Sequence, residues 1–543
     1  MRIDWLWLDS YKNLKDLTID FAQKHLITVV IGRNGTGKSN VLEAVTVIFR
    51  DLIMGERLPS LRYRIAYQIG DHWVFIDADP ERIEEPYRAK AISIEDQPDP
   101  FDVGADFEMI GGTTINRAKL VGEDSQYLPR FLFGYYSGES RRMSELFRAY
   151  LESYDRKLVS GEDPGPKRMF FAEPVHSNFV LLSFIVNNKE QTTAFLEKQL
   201  GLEDGGIESV LFVLKQPYWK SKEGDTRFWN SRGIVRDFLA KLYDISLAPI
   251  RIKRREFYDV RRKRTKEYLY LFAKDIDALR QLAEGKTPAE FFRDLESTHV
   301  SDLIDEVRIR VKLKKNDGSV TFRELSEGEQ QLLTVLGLLQ FTSAEESLFL
   351  LDEPDTHLNP RWSVEYIQHI RDFLMDDTGE QPNSHVLLAT HNPIAVAELV
   401  KEQVQILKRD PETHAIMAFE PDTHPRGMGY AGVITSELFD LNAALDTYTQ
   451  GLLEEKRKLS SQEELSSESL KRLRELTDEL DAYGFRYQVR DPKEAKRLRQ
   501  MLSSDEERDV EISSSPNDTE KAERLVNEAL SPTNDGGNDE SSE

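Results

Sequence analysis

At 543 residues, with 39% hydrophobic and 31% charged side chains, the chain is long enough for a large core and more than one lobe. Cysteine is absent, which excludes disulfides, thiolate metal sites and cysteine nucleophiles. No apolar run approaches the roughly 20 residues that cross a bilayer, and the opening Met1 to Trp5 reads as a strand start without a signal peptide, so a cytoplasmic protein with no membrane contact is expected; the net charge of −24 argues against a chain wrapped in nucleic acid.

In chain order, alternating residues from Ile3 to Leu8 predict an opening strand, and the β-branched run His25 to Ile31 predicts a buried one. Gly32-Arg-Asn-Gly-Thr-Gly-Lys38-Ser39 follows, a complete G-x-x-x-x-G-K-[ST] phosphate loop, and Val41, Leu42, Val45 and Ile48 then recur at helical spacing. Strand, glycine loop and helix stand in the order that lets backbone N–H groups and a helix N-terminus close around phosphate. Asn34, Gly35, Gly37, Lys38, Ser39 and Asn40 are therefore expected to hold ATP, with Lys38 at the β and γ phosphates and Ser39 on Mg²⁺. A hairpin is predicted around Tyr67 to Phe75, and a strand at Phe131 to Phe133 runs into Gly134 to Gly138, the candidate region for a Q-loop equivalent.

Short amphipathic pieces at Val180 to Ile185, Thr193 to Leu200, Val210 to Leu214 and Val235 to Leu242, broken by Gly and Pro, read as a compact helical lobe. Within it, Arg251 to Lys266 carries Arg251, Lys253, Arg254, Arg255, Arg261, Arg262, Lys263, Arg264 and Lys266. This stripe could track nucleic-acid phosphates, with Phe257, Tyr258 or Tyr268 stacking on bases, or form a solvated helix face paired with a partner's acids.

Leu325-Ser326-Glu-Gly328-Glu-Gln resembles the signature loop with which ABC-type ATPases cap a neighbour's nucleotide, although Glu327 replaces a glycine and Glu329 a glutamine. An apolar helix from Gln330 to Leu339 lets Ser326 cap it and, with Gly328, present N–H groups to an anion. Ser347 to Pro354 has the Walker B form, a buried strand ending in Asp352, assigned to the metal, and Glu353, assigned as general base. Asp355 to Pro360 occupies the D-loop position and includes His357, which is not assigned to a metal. Val386 to Thr390 predicts a last buried strand, ending at His391 in the place of a switch histidine.

The order of these motifs predicts an α/β fold, an ABC-type P-loop ATPase head with a helical insertion and an α-helical C-terminal extension. The expected regions are 1–138 and 321–410 for the two ATPase lobes, 139–320 for the mostly helical insertion, 411–502 for the extension, where Leu470, Leu473, Leu476 and Leu480 keep helical spacing, and 503–543 for an acidic disordered tail. ATP between two copies implies a homodimer or higher homo-oligomer.

On the phosphate loop, Tyr135 to Gly138, Leu325 to Gln331, Asp352 to Pro360, His391, Gly429 to Phe439 and Phe485 to Pro492, the chain resembles the ABC-like ATPases of bacterial anti-phage defence, related to the OLD and SMC-like groups, and among them the PtuA type of Septu and retron systems. The resemblance implies an ATPase that controls an HNH nuclease (PtuB-like) in trans, with a reverse transcriptase and its RNA–DNA product as a further partner, or DNA, for the Arg251 to Lys266 stripe. No Toprim, HNH or PD-(D/E)xK set is recognisable in this chain. The alternatives are an SMC-like DNA-repair or chromosome-associated ATPase, disfavoured by missing heptad arms, and a transporter's nucleotide-binding subunit, disfavoured by the size of the insertion.

Overall fold

The structure, a computed structural model, describes residues 1–21, 25–94, 107, 110–187, 195–198, 201–259, 262–313, 319–321, 326–342, 346–374, 384–439, 441, 444–461 and 466–483. The acidic tail, Arg261, Leu325 and Phe485 to Pro492 lie outside them. The described backbone divides into two compact units, after Ala444. This division falls inside the C-terminal extension.

In the first unit, β1 (Arg2–Tyr11) and β2 (Leu14–Asp20) form a hairpin. β3 (Ile27–Gly32), buried from Ile27 to Ile31, runs through the phosphate loop into α1 (Lys38–Met54). β4 (Tyr63–Ile69) and β5 (His72–Ala78) make the expected hairpin across Gly70-Asp71, a two-residue connection suited to the twist of paired strands. With β6 (Tyr87–Ser93) and β7 (Thr113–Thr114) they complete an antiparallel sheet ordered β2-β1-β4-β5-β6-β7.

After the short α2 (Arg117–Leu120) come β8 (Phe131–Tyr136), α3 (Arg142–Ser160), β9 (Met169–Phe171) and α4 (Val175–Asn187). The insertion continues with β10 (Leu202–Lys215), α5 (Gly233–Ile245), β11 (Ile250–Asp259), β12 (Arg262–Ala273), α6 (Ile276–Leu282), α7 (Pro288–Val300), β13 (Ile304–Leu313) and β14 (Ser319–Thr321). Its strands form an antiparallel sheet, β11-β12-β10-β13-β14, packed with its helices, a sheet that the expectation of a mostly helical insertion did not include. Val210 to Leu214 lies on β10, because a short apolar run has no periodicity that separates strand from helix. The basic stripe likewise falls on the β11–β12 pair and not on a helix face.

α8 (Glu327–Thr342), β15 (Ser347–Asp352), α9 (Pro360–Leu374), β16 (His385–Ala389), α10 (Pro393–Val396), β17 (Val404–Arg409), β18 (Ile416–Phe419) and α11 (Gly429–Thr435) complete the unit. The central sheet is ordered β18-β17-β3-β16-β15-β8-β9 and is parallel except for β18. β15 and β16 are buried along their whole length, as a parallel strand covered on both faces must be. Phe349 of β15 stacks on its register partner Phe133 of β8, ring centroids 4.8 Å apart. Two expected region boundaries cut this sheet: β9 belongs to it although it lies beyond residue 138, and β18 although it lies beyond 410.

His385, at the start of β16, ties the two ATPase sheets together. Its Nδ1 accepts from the Ile3 amide at 3.2 Å and its Nε2 lies 3.0 Å from Thr28 Oγ1. Burial pushes its pKa down to about 3, so it is neutral and purely structural. In the second unit α12 (Thr447–Ser460) and α13 (Ser467–Ala482) pack through Leu452, Leu476 and Leu480. No helix among the described residues is long and apolar enough to cross a membrane.

Candidate active site

Parallel pairing places the C-terminal ends of β3, β16, β15 and β8 side by side. The phosphate loop, Thr390-His391, Asp352-Glu353 and Tyr136-Ser137 therefore share one edge of the sheet, where open α/β folds bind their ligands. A cavity of about 1210 Å³ opens there. Asn34, Gly35, Gly37, Lys38, Ser39, Asn40, Glu353 and His391, all expected from the sequence, line it.

The phosphate loop is braced from outside its own sequence. Asn13, in the β1–β2 turn, donates to Gly35 O at 3.0 Å and accepts from Asn40 Nδ2 at 2.5 Å. Gly37 caps α1 at φ 95, and a Cβ there would stand 2.7 Å from Leu14 Cδ2 and 2.9 Å from Asn13 Oδ1, so only glycine fits both backbone and space. Lys38 spans the loop and donates to Gly32 O at 2.9 Å. Burial lowers its pKa, against the pull of the Glu353 and Asp352 carboxylates.

Asp352 is 2% exposed, and its Oδ1 has no hydrogen-bond partner. Burial pushes its carboxyl up to about 6, while the Ser39 hydroxyl, Arg142 and Lys38 pull it down. Glu353 takes the left-handed conformation, φ 53, which a non-glycine residue keeps only when its surroundings impose it. Here its amide donates to Ala389 O at 2.8 Å, and its carbonyl accepts from Thr356 Oγ1 at 2.9 Å. The bent chain turns its carboxylate to His391, Oε2 to Nδ1 2.7 Å.

Sequence reading missed the charges beneath the loop. Glu43 of α1, 1% exposed, is held by Lys12, by Tyr11 Oη at 3.2 Å and by Arg142 Nε at 3.3 Å. Arg142 also reaches within 3.6 Å of Asp352 Oδ2 and lies over the Tyr136 ring. The one local cue was the Arg141-Arg142 pair just after Gly138.

Ser326 and Gly328 do not line the cavity, although Glu327 and Gln330 beside them do. Ser326 and Glu329 form a capping box at the start of α8: Ser326 Oγ accepts from the Glu329 amide at 3.3 Å, and Glu329 Oε2 accepts from the Ser326 amide at 2.7 Å and hydroxyl at 2.9 Å. Glu329, read as a departure from the signature, is thus a helix-capping residue. A Cβ on Gly328 would meet the D-loop carbonyl of His357 at 2.5 Å. Gln331 Nε2 donates to Pro354 O, and Asp355 accepts from Thr390 Oγ1 at 2.9 Å, so α8, the D-loop and β16 are joined.

A cleft of this size suits a nucleotide. The buried orphan oxygen of Asp352 beside the Ser39 hydroxyl suits a hard cation that takes few protein ligands and completes its shell with phosphate and water. Among the described residues no cluster of three or more His, Asp or Glu offers an all-protein metal cage.

Two protein families match parts of the chain. Residues 1–112 match the family described as "AAA ATPase domain" and residues 220–397 the family described as "AAA domain, putative AbiEii toxin, Type IV TA system". The chain is 22% identical over 447 residues to the retron Vc95 probable ATPase of Vibrio cholerae serotype O1 biovar El Tor, covering 75% of this chain and 73% of that protein. It is 22% identical over 524 residues to the retron Ec83 probable ATPase of Escherichia coli, covering 87% and 82%. The match to Septu protein PtuA of Bacillus mycoides (strain KBAB4) is shorter, 28% over 110 residues, 19% of this chain and 14% of that one. An SMC head domain from Thermotoga maritima aligns over 78% of this chain and 100% of its own, at 12% identity and TM-score 0.30. The phosphate loop, the acids Asp352 and Glu353 and His391, brought together at one edge of a parallel sheet, fit a P-loop ATPase. Within that class the chain is similar to the retron ATPases and, over a shorter stretch, to Septu PtuA, and parts of it match AAA ATPase families.

Proposed function

We propose that this ATPase acts as a nucleotide-sandwich homodimer, or a higher homo-oligomer built on it, inside an anti-phage defence complex. The observation that carries the sandwich is the division of the site: every expected nucleotide residue lines or underlies one cavity except Ser326 and Gly328, which stand at the N-terminus of α8 outside it. In this reading they close the site of a second copy. Nucleotide occupancy and dimerisation are then linked equilibria.

Lys38 and the loop amides hold the phosphates of ATP. Ser39 and Asp352 would hold Mg²⁺, which when bound neutralises charge on the phosphate oxygens. Glu353, oriented by His391, takes a proton from the water that attacks the γ-phosphorus, and ADP leaves. His391 also presents its ring to the γ-phosphate. The names of the retron and Septu relatives support a defence role; the partners in this reading are an HNH nuclease (PtuB-like) and, in a retron setting, a reverse transcriptase carrying RNA–DNA, in the cytoplasm.

The test is purification of the wild type, Glu353→Gln and Lys38→Ala with products of the neighbouring genes, with and without ATP. Glu353→Gln is expected to stay dimeric with ATP bound, Lys38→Ala to bind none, and a small nuclease to co-elute. Wild-type hydrolysis by Glu353→Gln would remove the base assignment, and a monomer with ATP bound would remove the sandwich. Recovery of the protein alone, with DNA-stimulated ATPase activity, would favour the repair-type reading.

A further inference from the structure

Tyr136 ends β8 in register with Asp352, and the Ser137 amide donates to the Asp352 carbonyl at 3.3 Å, so the turn into α3 starts beside the Walker B acids. A Cβ on Gly138 would overlap Cζ and Oη of Tyr136, so the ring folds back over this turn only because residue 138 has no side chain. The guanidinium of Arg142, the first residue of α3, lies over that ring, 5.2 Å from its centroid. Strand register, glycine and ring together fix the reach of this one side chain.

The guanidinium stands between two buried carboxylates. Its Nε lies 3.3 Å from Glu43 Oε1 and its Nη2 3.6 Å from Asp352 Oδ2. Glu43 and Asp352 are 1% and 2% exposed, and acids buried so deeply need a cation beside them to stay charged. Glu43 sits one helical turn after Ser39 on the same face of α1, and Lys12 and Tyr11 Oη hold its other oxygen, Oε2. The other oxygen of Asp352, Oδ1, is buried without a hydrogen-bond partner. One oxygen of each acid therefore faces Arg142, while the second is fixed on Glu43 and free on Asp352. Drawing the guanidinium onto a phosphate would strip Glu43 Oε1, buried and with no hydrogen bond of its own, of its cation. The fork is thus committed to the acids.

We propose that Glu43 and Arg142 are positioning residues for the metal site: Glu43 holds the guanidinium, and the guanidinium holds Asp352 at Oδ2, so that Oδ1 is presented to the cation beside Ser39. A carboxylate engaged at one oxygen is oriented before the metal arrives, which raises its affinity without adding a ligand. The planar fork of arginine reaches two acids at once, whereas a lysine ammonium acts as a point charge and serves one. The inference rests on the reading of Ser39 and Asp352 as the metal-holding residues and adds the pair that aims Asp352.

Binding of a fluorescent ATP analogue to the full chain, carrying Glu353→Gln so that nothing turns over, tests it in EDTA and across a Mg²⁺ titration. Arg142→Gln should raise the half-saturating Mg²⁺ concentration ~10–100-fold and leave binding in EDTA unchanged. Arg142→Lys should not restore the wild-type value. Glu43→Gln should act in the same direction, and the double variant should be no worse than Arg142→Gln alone, because the two residues act through one another. If loss of a buried charge unfolds the chain, Tyr136→Leu, which keeps every charge and removes the ring under the guanidinium, should still raise the half-saturation ~2–5-fold. Asp352→Asn should abolish the Mg²⁺-dependent part of binding; its persistence there would overturn both the metal assignment and the positioning pair. Its loss there with an unchanged Mg²⁺ requirement in Arg142→Gln, or in Tyr136→Leu where the charge variants unfold, would overturn the pair alone. Weaker binding of Arg142→Gln in EDTA would do the same by making the guanidinium a phosphate ligand.

Discussion

Asp352→Asn should make the nucleotide-free protein more stable while removing its Mg²⁺-dependent hydrolysis. The wild-type carboxyl is pushed from 3.8 to about 6, chiefly by burial, with only Ser39, Arg142 and Lys38 to offset it. From about pH 4 to 6 the native state binds more protons at this site than the unfolded chain, so stability falls as pH rises through that window and the deficit persists above it. A shift of this size corresponds to roughly 3 kcal/mol. Asparagine removes the buried charge but also the attraction to Arg142 and Lys38, so a gain of ~1–3 kcal/mol at pH 7.5 is expected, shrinking toward zero near pH 4. Urea unfolding of both proteins at several pH values, without nucleotide or metal, measures the difference directly. A variant less stable than the wild type at pH 7.5, or a difference that does not change with pH, would refute the reasoning.

Gly328→Ala drives a methyl group into the His357 carbonyl and should cost ~1–3 kcal/mol as well as hydrolysis. Gly451→Ala, inside α12 with open space around it, should be neutral or stabilising by up to ~1 kcal/mol; equal losses in melting temperature for both would contradict the packing argument. Burial alone would push Glu296 up, but Lys167 and His176 more than offset it and hold its carboxyl well below the usual range. Its stabilisation is therefore present above about pH 4.5 and lost as pH falls further. Glu296→Gln leaves the Lys167 ammonium buried without its counter-ion, so a loss of ~3–5 kcal/mol at pH 7 is expected in denaturant unfolding.

The nucleotide site was legible because its parts are contiguous in sequence. A phosphate loop, two acids closing an apolar strand and a histidine closing another each carry their chemistry within a few residues, and burial on both faces makes their strands read as unbroken apolar runs. The insertion was not legible in the same way. β10 is short of polar alternation where helices cover it, and β11 with β12 carries charge on both faces, so neither shows the period of two that marks a strand. Asn13, Glu43 and Arg142 were invisible for a different reason: a hairpin turn, a helix interior and a helix start bring them to the site through tertiary folding alone. Ser326 and Glu329 were readable as a capping box, and the comparison with the usual signature hid it.

The site carries costs that sit on residues linked to one another. Asp352 is buried without full compensation, Glu353 is held at φ 53, and burial raises the Asp355 carboxyl although Thr390 donates to it. Glu353 and Asp355 are separated by Pro354, whose carbonyl accepts from Gln331 of α8, five residues after Ser326. A shift of the α8 N-terminus therefore pulls on the peptide between Glu353 and Asp355, and His391 follows because it is bonded to Glu353 and adjoins Thr390. A phosphate engaged at Ser326 must also displace or share the donors now given to Glu329. In the proposed sandwich, closure on a partner's nucleotide would reach Glu353 and His391 through these contacts, and hydrolysis at one site is then expected to respond to occupancy at the other.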